Sequence, residues 1–168
     1  MALTFRFAQE TDTLLILQFI RELADYEHLL DQVVADEATL RDQLFEKRRA
    51  EVLFALEDGA EVGFALFFQN FSTFLGRAGL YLEDLYVRPE HQGKGYGKAF
   101  FRRRAAIAAE RDCGRLEWWC LDWNTPSIGF YKSLGAETME DWTVYRLTGP
   151  ALQRLAEPES PVAETDEI

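Results

Sequence analysis

A run of apolar residues followed at once by three closely spaced glycines constrains the fold of this chain most. Residues 81–98 read Tyr-Leu-Glu-Asp-Leu-Tyr-Val-Arg-Pro-Glu-His-Gln-Gly-Lys-Gly-Tyr-Gly-Lys, which predicts a strand, a bend at the proline and a glycine-rich turn that opens a helix. Glycine lets backbone N–H groups approach an anion closely, and a helix N-terminus adds unpaired N–H groups and the positive end of its dipole. The segment therefore predicts a cradle for a pyrophosphate. Basic side chains lie in and after it: Lys94, Lys98, Arg102, Arg103 and Arg104.

The glycine spacing excludes two common phosphate-binding loops. A Walker loop has four residues between its glycines and then Lys-Ser/Thr, whereas three residues separate Gly93 from Gly97, and Lys98 precedes Ala99. A dinucleotide-binding fingerprint has its third glycine one residue later than this chain does. Two interpretations stay open from the residues alone: a cradle of another phosphate-binding class, and a plain strand-to-helix turn.

Composition and charge limit the class of partner. The chain has 168 residues, of which 48% are hydrophobic, enough for one domain with a real core. A formal net charge of −11 argues against nucleic acid as a partner, whereas an acidic body with a local basic cluster suits a cationic substrate and an anionic cofactor. No run of apolar residues is long enough to span a membrane and the N-terminus does not resemble a signal peptide, so we expect a cytoplasmic protein. Two cysteines and two scattered histidines predict neither a disulfide framework nor a metal site.

Periodicity and turn residues predict an α+β domain over residues 1–156, followed by an acidic, disordered tail over residues 157–168. An acidic hairpin turn at Glu57-Asp58-Gly59 joins two of its strands. We expect the first strands to be antiparallel and the central strands to become parallel around the long helix. The predicted strands cover residues 3–8, 52–56, 62–69, 80–87, 115–121 and 142–147, and the predicted helices cover residues 12–24, 36–47, 97–111 and 126–134.

Three segments resemble a known family. Gln92-Gly93-Lys94-Gly95-Tyr96-Gly97 fits the Gln/Arg-x-x-Gly-x-Gly/Ala pattern with which GCN5-related N-acetyltransferases (GNAT) hold the pyrophosphate of acetyl-CoA. Residues 81–87, 121–136 and 20–27 resemble the diamine acetyltransferases, the branch that contains the spermidine/spermine and thialysine N-acetyltransferases. The resemblance runs from about Phe5 to Ala156. It implies a GNAT fold with a mixed sheet of six to seven strands and about four helices, acetyl-CoA as co-substrate without a metal, and a homodimer.

The resemblance also implies the reaction, which is direct attack of a primary amine on the thioester in a ternary complex. Such a reaction needs an acceptor for the amine proton and a donor for the departing thiolate. Glu83 matches the family's proton acceptor, and Tyr131 matches the tyrosine that protonates the sulfur of CoA. A plainer interpretation makes Tyr131 a core aromatic beside Phe130. Glu83 and Asp84 are consecutive on a strand, so alternation predicts opposite faces for them, and the plainer interpretation is a solvated pair of carboxylates.

By the same resemblance, the cofactor lies along the strand and the glycine loop. The backbone of Leu85, Tyr86 and Val87 would run beside the pantetheine arm, with Asn124 and Ser127 on its far side, although both could simply be turn and helix-start residues. The expected pyrophosphate-binding residues are Gln92, Gly93, Lys94, Gly95, Tyr96, Gly97 and Lys98. The expected substrate pocket holds Glu83 and Asp84 together with Tyr26, Glu27, Glu117 and Trp118, the last two of which could equally be ordinary residues of a strand.

Some features depart from the polyamine-acetylating relatives. The turn at residues 57–59 is short, and Asn70-Phe-Ser-Thr-Phe-Leu75 offers no carboxylate to grip a long polycation. Ser72-Thr73 and Leu121-Asp-Trp-Asn124 are more similar to the thialysine branch, so we expect an amine shorter than spermine. Two other functions stay open at this point: a protein or peptide N-acetyltransferase, and a non-catalytic acyl-CoA-binding module.

Overall fold

The structure is a computed structural model, and it describes residues 2–158. The chain divides into two compact units between Leu121 and Asp122. The first unit contains a sheet with three helices, and the second contains two helices. The single domain expected over residues 1–156 stays a prediction, and most of the predicted disordered tail, residues 159–168, lies outside the described residues.

A five-stranded mixed sheet organises the first unit. Its strand order is β1-β2-β3-β4-β5, in which the first four strands are antiparallel and β4 pairs with β5 in parallel. The α+β class, the antiparallel first half and the parallel pair around the long helix are therefore confirmed. The strands are β1 (Leu3–Phe7), β2 (Glu51–Glu57), β3 (Ala60–Ser72), β4 (Arg77–Val87) and β5 (Leu116–Trp118).

Helices cover both faces of this sheet. On one face, Phe19 of α1 (Thr13–Tyr26) stacks on Phe64 of β3 with ring centroids 5.3 Å apart, and both side chains are fully buried. On the other face, Phe100 of α3 (Tyr96–Glu110) packs beside Gly63, where an added Cβ would lie 3.2 Å from its ring. Successive residues of a strand point to opposite faces, so α1 and α3 enclose the sheet from opposite sides. The short helix α2 (Glu37–Arg41) follows α1 in the chain.

The turns follow local chemistry. The β2–β3 hairpin closes through Asp58 and Gly59, which have positive φ angles of 50° and 86°, as the predicted tight hairpin turn requires.

Arg88 joins the end of β4 to α1. It lies over the ring of Phe19 at 4.5 Å from its centroid, and its Nε lies 3.0 Å from Glu22 Oε2. This contact fixes the last two turns of α1 against the end of β4.

The second unit contains α4 (Thr125–Ser133) and α5 (Gly149–Ala156). The prediction of a strand over residues 142–147 is wrong. The described structure gives this segment no strand partner and leaves Trp142, Val144 and Tyr145 exposed. Alternating apolar residues provide the side chains of a strand but not the hydrogen-bonding neighbour it needs. The described residues therefore form five strands, fewer than the predicted six to seven. They also form five helices, because the prediction missed α5, whose signal was Pro150 in the first turn.

Candidate active site

An irregularity in β4 sets the position of the predicted base. Leu82 pairs with Phe67 and Asp84 pairs with Leu66, so Glu83 is an extra residue opposite β3. Such a bulge disturbs the alternation of side chains. Phe67 and Leu66 lie on opposite faces of β3, so Leu82 and Asp84 also lie on opposite faces, with Asp84 on the face that α1 covers. The regular alternation predicted through Glu83 and Asp84 therefore does not hold here.

Three carboxylates lie near one another beside this bulge. Asp84 is largely buried, and burial, followed by the charges of Glu83 and Glu27, raises the pKa of its carboxyl to about 7. Glu27 follows the last residue of α1, and burial raises the pKa of its carboxyl as well. Glu83 is exposed. We call Glu27, Glu83 and Asp84 the carboxylate cluster; it can hold a cation and can accept a proton.

Aromatic side chains lie next to the carboxylate cluster. Tyr81 stacks on Phe68 with ring centroids 5.2 Å apart and meets Trp119 edge-on at 6.3 Å. Burial, followed by the charges of Glu83 and Glu117, raises the pKa of the Tyr81 phenol. The phenol therefore interacts electrostatically with Glu83 of the carboxylate cluster. Tyr26, which precedes Glu27, is 43% exposed. Aromatic faces beside carboxylates favour an organic cation.

The last two predicted substrate residues differ from the cluster. Glu117 Oε1 accepts a hydrogen bond from Asn70 Nδ2 at 3.0 Å and lies 2.9 Å from Arg115 Nε, so its charge already has partners. Trp118 packs edge-on against Phe101 of α3, with ring centroids 4.8 Å apart. The structure thus brings Glu27, Glu83 and Asp84 together and gives Trp118 a packing role on the face of α3.

The backbone of β4 is open on one side beyond its bulge. Strand β5 pairs only with Leu80, Tyr81 and Leu82, and no other strand of residues 2–158 pairs with this edge. The N–H of Arg88 donates to Val62 O on β3, so the alternating ladder turns the backbone groups of Leu85 and Val87 toward the open edge and those of Tyr86 toward β3. The carbonyl of Val87 accepts a hydrogen bond from Gln92 Nε2 at 2.8 Å.

The glycine loop has the backbone conformation that a cradle requires. Gly93 and Gly95 have φ angles of 79° and 82°, in the left-handed region that favours glycine, and an added Cβ at either position would meet nothing within 4 Å. Gly97 lies in the first turn of α3. Space is therefore open beside both loop glycines at the start of a long helix, which suits a bound phosphate group.

The basic cluster predicted around the loop is smaller than the sequence indicated. Lys94 Nζ lies 2.8 Å from Glu57 Oε1, and Arg103 Nη1 lies 3.5 Å from Glu110 Oε1. Arg104 is completely buried, 5.1 Å from the ring centroid of Phe101. Helical periodicity places Arg104 on the face of α3 that packs on the sheet, so it is not a surface charge. Lys98 and Arg102 are exposed near the helix start.

The second unit holds the remaining predicted residues on α4. The Oδ1 of Asn124 accepts a hydrogen bond from the backbone N–H of Ser127 at 3.4 Å, so both residues take part in capping this helix. Gly135, with a φ of 85°, follows the helix and ends it as predicted. Tyr131 lies beside Phe130, with ring centroids 5.6 Å apart. The cofactor-binding roles of Asn124 and Ser127 and the catalytic role of Tyr131 stay predictions.

Sequence comparison decides the family. The model of the acetyltransferase (GNAT) family matches residues 16–136, which include the carboxylate cluster, the glycine loop and α4. The chain belongs to the GNAT acetyltransferase family. GNAT acetyltransferases use acetyl-CoA as co-substrate, and this chain is an N-acetyltransferase.

Named relatives place the chain in the diamine acetyltransferase branch. It is 39% identical to a thialysine N-ε-acetyltransferase of Bos taurus, over 90% of this chain and 95% of the relative. It is 31% identical to an L-ornithine N5-acetyltransferase of Arabidopsis thaliana, over 89% of this chain and 86% of the relative. An integron cassette protein from the mobile metagenome of V. cholerae has the same fold, with a TM-score of 0.79 and 29% identity over 94% of this chain and 99% of its own.

No helix within residues 2–158 is long and apolar enough to cross a membrane. The same residues contain no group of three or more histidine, cysteine, aspartate or glutamate side chains placed to hold a metal ion.

The structure adds one residue to the site that the sequence analysis missed. Glu57 contacts three side chains of the glycine loop and its flanks. In the sequence it is only the first residue of an acidic hairpin turn. The available signal was a carboxylate directly after the apolar run at residues 52–56, because a charge beside a core strand needs partners.

Proposed function

We propose that this protein transfers the acetyl group of acetyl-CoA to the side-chain amine of a small amino acid or diamine, by direct attack of the amine in a ternary complex. The observation that carries the proposal is the carboxylate cluster of Glu27, Glu83 and Asp84. Glu83 and Asp84 lie at the bulge of β4, directly before the open backbone edge at Leu85 and Val87, and the glycine loop follows this strand. An alkylammonium ion is the ligand that this charge favours.

The proposed acetyl-CoA site uses backbone groups. The open edge at Leu85 and Val87 can pair with an extended pantetheine arm, because the amides of that arm can form hydrogen bonds as a further strand would. The N–H groups around Gly93 and Gly95 and the start of α3 would then hold the pyrophosphate. Acetyl-CoA supplies the activated acyl group, and the residues of the chain bind it, orient it and move protons.

The proposed proton transfers balance the reaction. The ammonium group gives a proton to Glu83 through water, since Glu83 is exposed, and the neutral nitrogen forms a bond to the acetyl carbon. The carbon–sulfur bond then breaks, and the thiolate takes a proton from the hydroxyl of Tyr131. The nitrogen releases its second proton as the neutral amide forms, and a proton from solvent restores the hydroxyl of Tyr131, so the net reaction releases one proton. When the carboxyl of Asp84 is ionised, it binds the positively charged amine of the substrate. The role of Tyr131 derives from the family resemblance, and the role of Asp84 also has the support of its raised pKa.

The relatives support a short substrate. Both named enzymes, for thialysine and for L-ornithine, act on an amine at the end of an amino-acid side chain. In this chain the carboxylates with raised pKa values, Glu27 and Asp84, lie close together, whereas Glu117 has Arg115 as a partner. One compact acidic region suits one compact cation better than a long polyamine.

A substrate panel tests the proposal. Purified protein would be incubated with acetyl-CoA and, separately, thialysine, lysine, ornithine, putrescine, spermidine, spermine and a lysine-containing peptide, and the release of free CoA thiol would be measured. We expect the highest kcat/KM with thialysine, lysine or ornithine. Turnover confined to the peptide would contradict the small-molecule function, and CoA binding without turnover on any amine would contradict the enzymatic function.

We also propose that the protein is a homodimer in the cytoplasm. Exposed apolar residues at the β3–β4 hairpin support an oligomer, because Phe71 and Phe74 are 61% and 96% exposed. Light scattering at micromolar concentration is expected to give twice the mass of one chain. A monomer under these conditions would contradict this proposal.

A further inference from the structure

The glycine loop is tied to a carboxylate that lies outside it. Glu57 is the last residue of β2 and is only 8% exposed. Its Oε1 lies 2.8 Å from Lys94 Nζ and also accepts a hydrogen bond from the hydroxyl of Tyr96. Its Oε2 lies 2.7 Å from His91 Nδ1. The contacts therefore begin before Gly93 and end after Gly95, so one carboxylate spans both left-handed glycines.

The charges make this contact persistent at neutral pH. The hydrogen bond from Lys94, followed by the one from Tyr96, lowers the pKa of the Glu57 carboxyl to about 2. The same carboxylate raises the pKa of the Tyr96 phenol to about 12. Glu57 thus stays ionised and Tyr96 stays protonated across the physiological range, and each keeps its role as acceptor or donor.

The contact also changes the interpretation of Lys94. A lysine between two glycines of a phosphate loop would ordinarily be assigned to the phosphate itself. Here its ammonium group lies against Glu57. The cradle is left with backbone N–H groups, whose direction depends on the conformations of Gly93 and Gly95. Whatever fixes those conformations also sets the affinity for the ligand, because a loop that is competent only part of the time binds more weakly.

We propose that Glu57 is a positioning residue for acetyl-CoA: it holds Lys94 and Tyr96 so that Gly93 and Gly95 keep the left-handed conformations of a pyrophosphate cradle. The inference rests on the proposed function, in which this loop binds the pyrophosphate. Glu57 contacts His91, Lys94 and Tyr96 and not the reacting atoms. Its effect is on the affinity for CoA, and the chemical step and the amine site are independent of it.

The test compares Glu57→Gln with Glu61→Gln. Glu61 lies in the same hairpin and its carboxylate accepts a hydrogen bond from Arg6 at 2.6 Å, but it does not contact the loop, so its variant reproduces the loss of an ion pair without the loss of the tether. For Glu57→Gln we expect about tenfold weaker CoA binding by calorimetry and a matching rise in KM for acetyl-CoA. The KM for the amine and kcat at saturating acetyl-CoA should stay within about twofold of the parent. Hydrogen exchange should accelerate in residues 91–97 in this variant alone.

The sign of the effect separates the two roles of Lys94. If Lys94 bound the phosphate instead, Glu57→Gln would release its ammonium group and CoA would bind more tightly. Tighter or unchanged CoA binding in Glu57→Gln would overturn the inference. Lys94→Met should weaken binding to a similar extent, and the double variant should be little weaker than either single variant, because both changes remove the same tether.

The test distinguishes this inference from the proposed function. A parent protein that binds CoA, combined with a Glu57→Gln variant that binds it equally well, would overturn the positioning role and leave the acetyltransferase function in place. A parent protein that does not bind CoA would contradict the proposed function and, with it, the role of Glu57. Fully additive effects of Glu57→Gln and Lys94→Met would also contradict the tether.

Discussion

Glu57 and Asp84 are carboxylates of the same sheet with opposite electrostatic surroundings. Glu57 faces Lys94, Tyr96 and His91, and the pKa of its carboxyl is lowered to about 2. Asp84 faces Glu83 and Glu27, and the pKa of its carboxyl is raised to about 7. The chain supplies the positive charge around Glu57. Within the described residues, the pKa of the Asp84 carboxyl is shifted by burial and by two other carboxylates, those of Glu83 and Glu27.

This difference indicates where an external cation is expected to bind. The charge of Glu57 is compensated in the folded chain, so it stabilises the loop that it contacts. The charge of Asp84 opposes folding, and a substrate ammonium ion would relieve that opposition when it binds. We therefore interpret a buried carboxylate that has basic or hydroxyl partners as structural. We interpret a buried carboxylate that is surrounded by other carboxylates as functional. The following predictions test this contrast.

The largest effect is expected for Glu83→Gln. If Glu83 accepts the amine proton, this variant should lose about 10² to 10³-fold in kcat/KM near pH 7, because the amine must then lose its proton to bulk water. Activity should recover in part at alkaline pH, where more of the amine is already neutral. A pH profile of kcat/KM with a saturating amount of acetyl-CoA measures this.

Glu110→Gln provides the control for Glu83→Gln. It removes an exposed carboxylate at the end of α3 and should keep the parent pH profile. CoA affinity should be unchanged in both variants. A Glu83→Gln variant with the parent rate at pH 7 would exclude Glu83 as the proton acceptor and would shift that role to Asp84.

A smaller loss is expected for Tyr131→Phe. Phenylalanine keeps the ring, so the fold and CoA binding should persist, while the hydroxyl proposed to protonate the thiolate is absent. The expected loss in kcat is about 10²-fold, toward the lower end for a general acid because a thiolate leaves readily. Tyr145→Phe is the matched control, since Tyr145 is 92% exposed in the same unit. Equal rates in the two variants would return Tyr131 to a packing role.

Asp84→Asn should stabilise the protein at alkaline pH. The carboxyl has a pKa of about 7 in the folded state against an ordinary value of 3.8, so the folded state binds more protons between these values and loses stability as the pH rises through them. Asparagine carries no charge, so the variant should gain up to about 4 kcal/mol in the free energy of unfolding at pH 8 and almost nothing below pH 4. Urea denaturation at several pH values measures this.

Glu57→Gln should show the opposite sign in the same measurement. Its carboxyl has a pKa of about 2 against an ordinary 4.5, so its stabilising contribution is complete above pH 4.5 and disappears as the pH falls toward 2. The variant should be less stable than the parent at pH 7 and similar to it near pH 2. Stability changes of the same sign at Asp84 and Glu57 would remove the contrast between the two regions.

The smallest effect is expected for Gly95→Val. Valine in a left-handed conformation costs about 1 to 2 kcal/mol, and the loop should shift, weakening CoA binding about tenfold. Gly76→Val is the matched control, because Gly76 also has a positive φ angle, of 64°, with nothing within 4 Å of an added Cβ, in the turn between β3 and β4. Both variants should lose stability, but only Gly95→Val should lose CoA affinity. Equal CoA affinity in both would contradict the cradle.

The sequence by itself determined the features that depend on neighbouring residues. The glycine loop, the hairpin turn at Asp58-Gly59 and the amphipathic helix α1 were predictable because positive φ angles and helical periodicity are local properties. The family resemblance added the carboxylates of β4, and the family itself is confirmed. Errors arose where a partner was needed: residues 142–147 have the alternation of a strand without a neighbouring strand, and Arg104 belongs to a basic run but lies in the core.

Only the tertiary structure decided which carboxylate is compensated. Glu57 and Lys94 are 37 residues apart in the chain, and Glu27 reaches Asp84 from the end of another element, so no local pattern joins either pair. The bulge at Glu83 likewise depends on the register between β3 and β4. Electrostatic interactions act through space, so the sequence determined that these residues are charged, and the fold determined that Glu57 holds the loop while Asp84 lies among carboxylates.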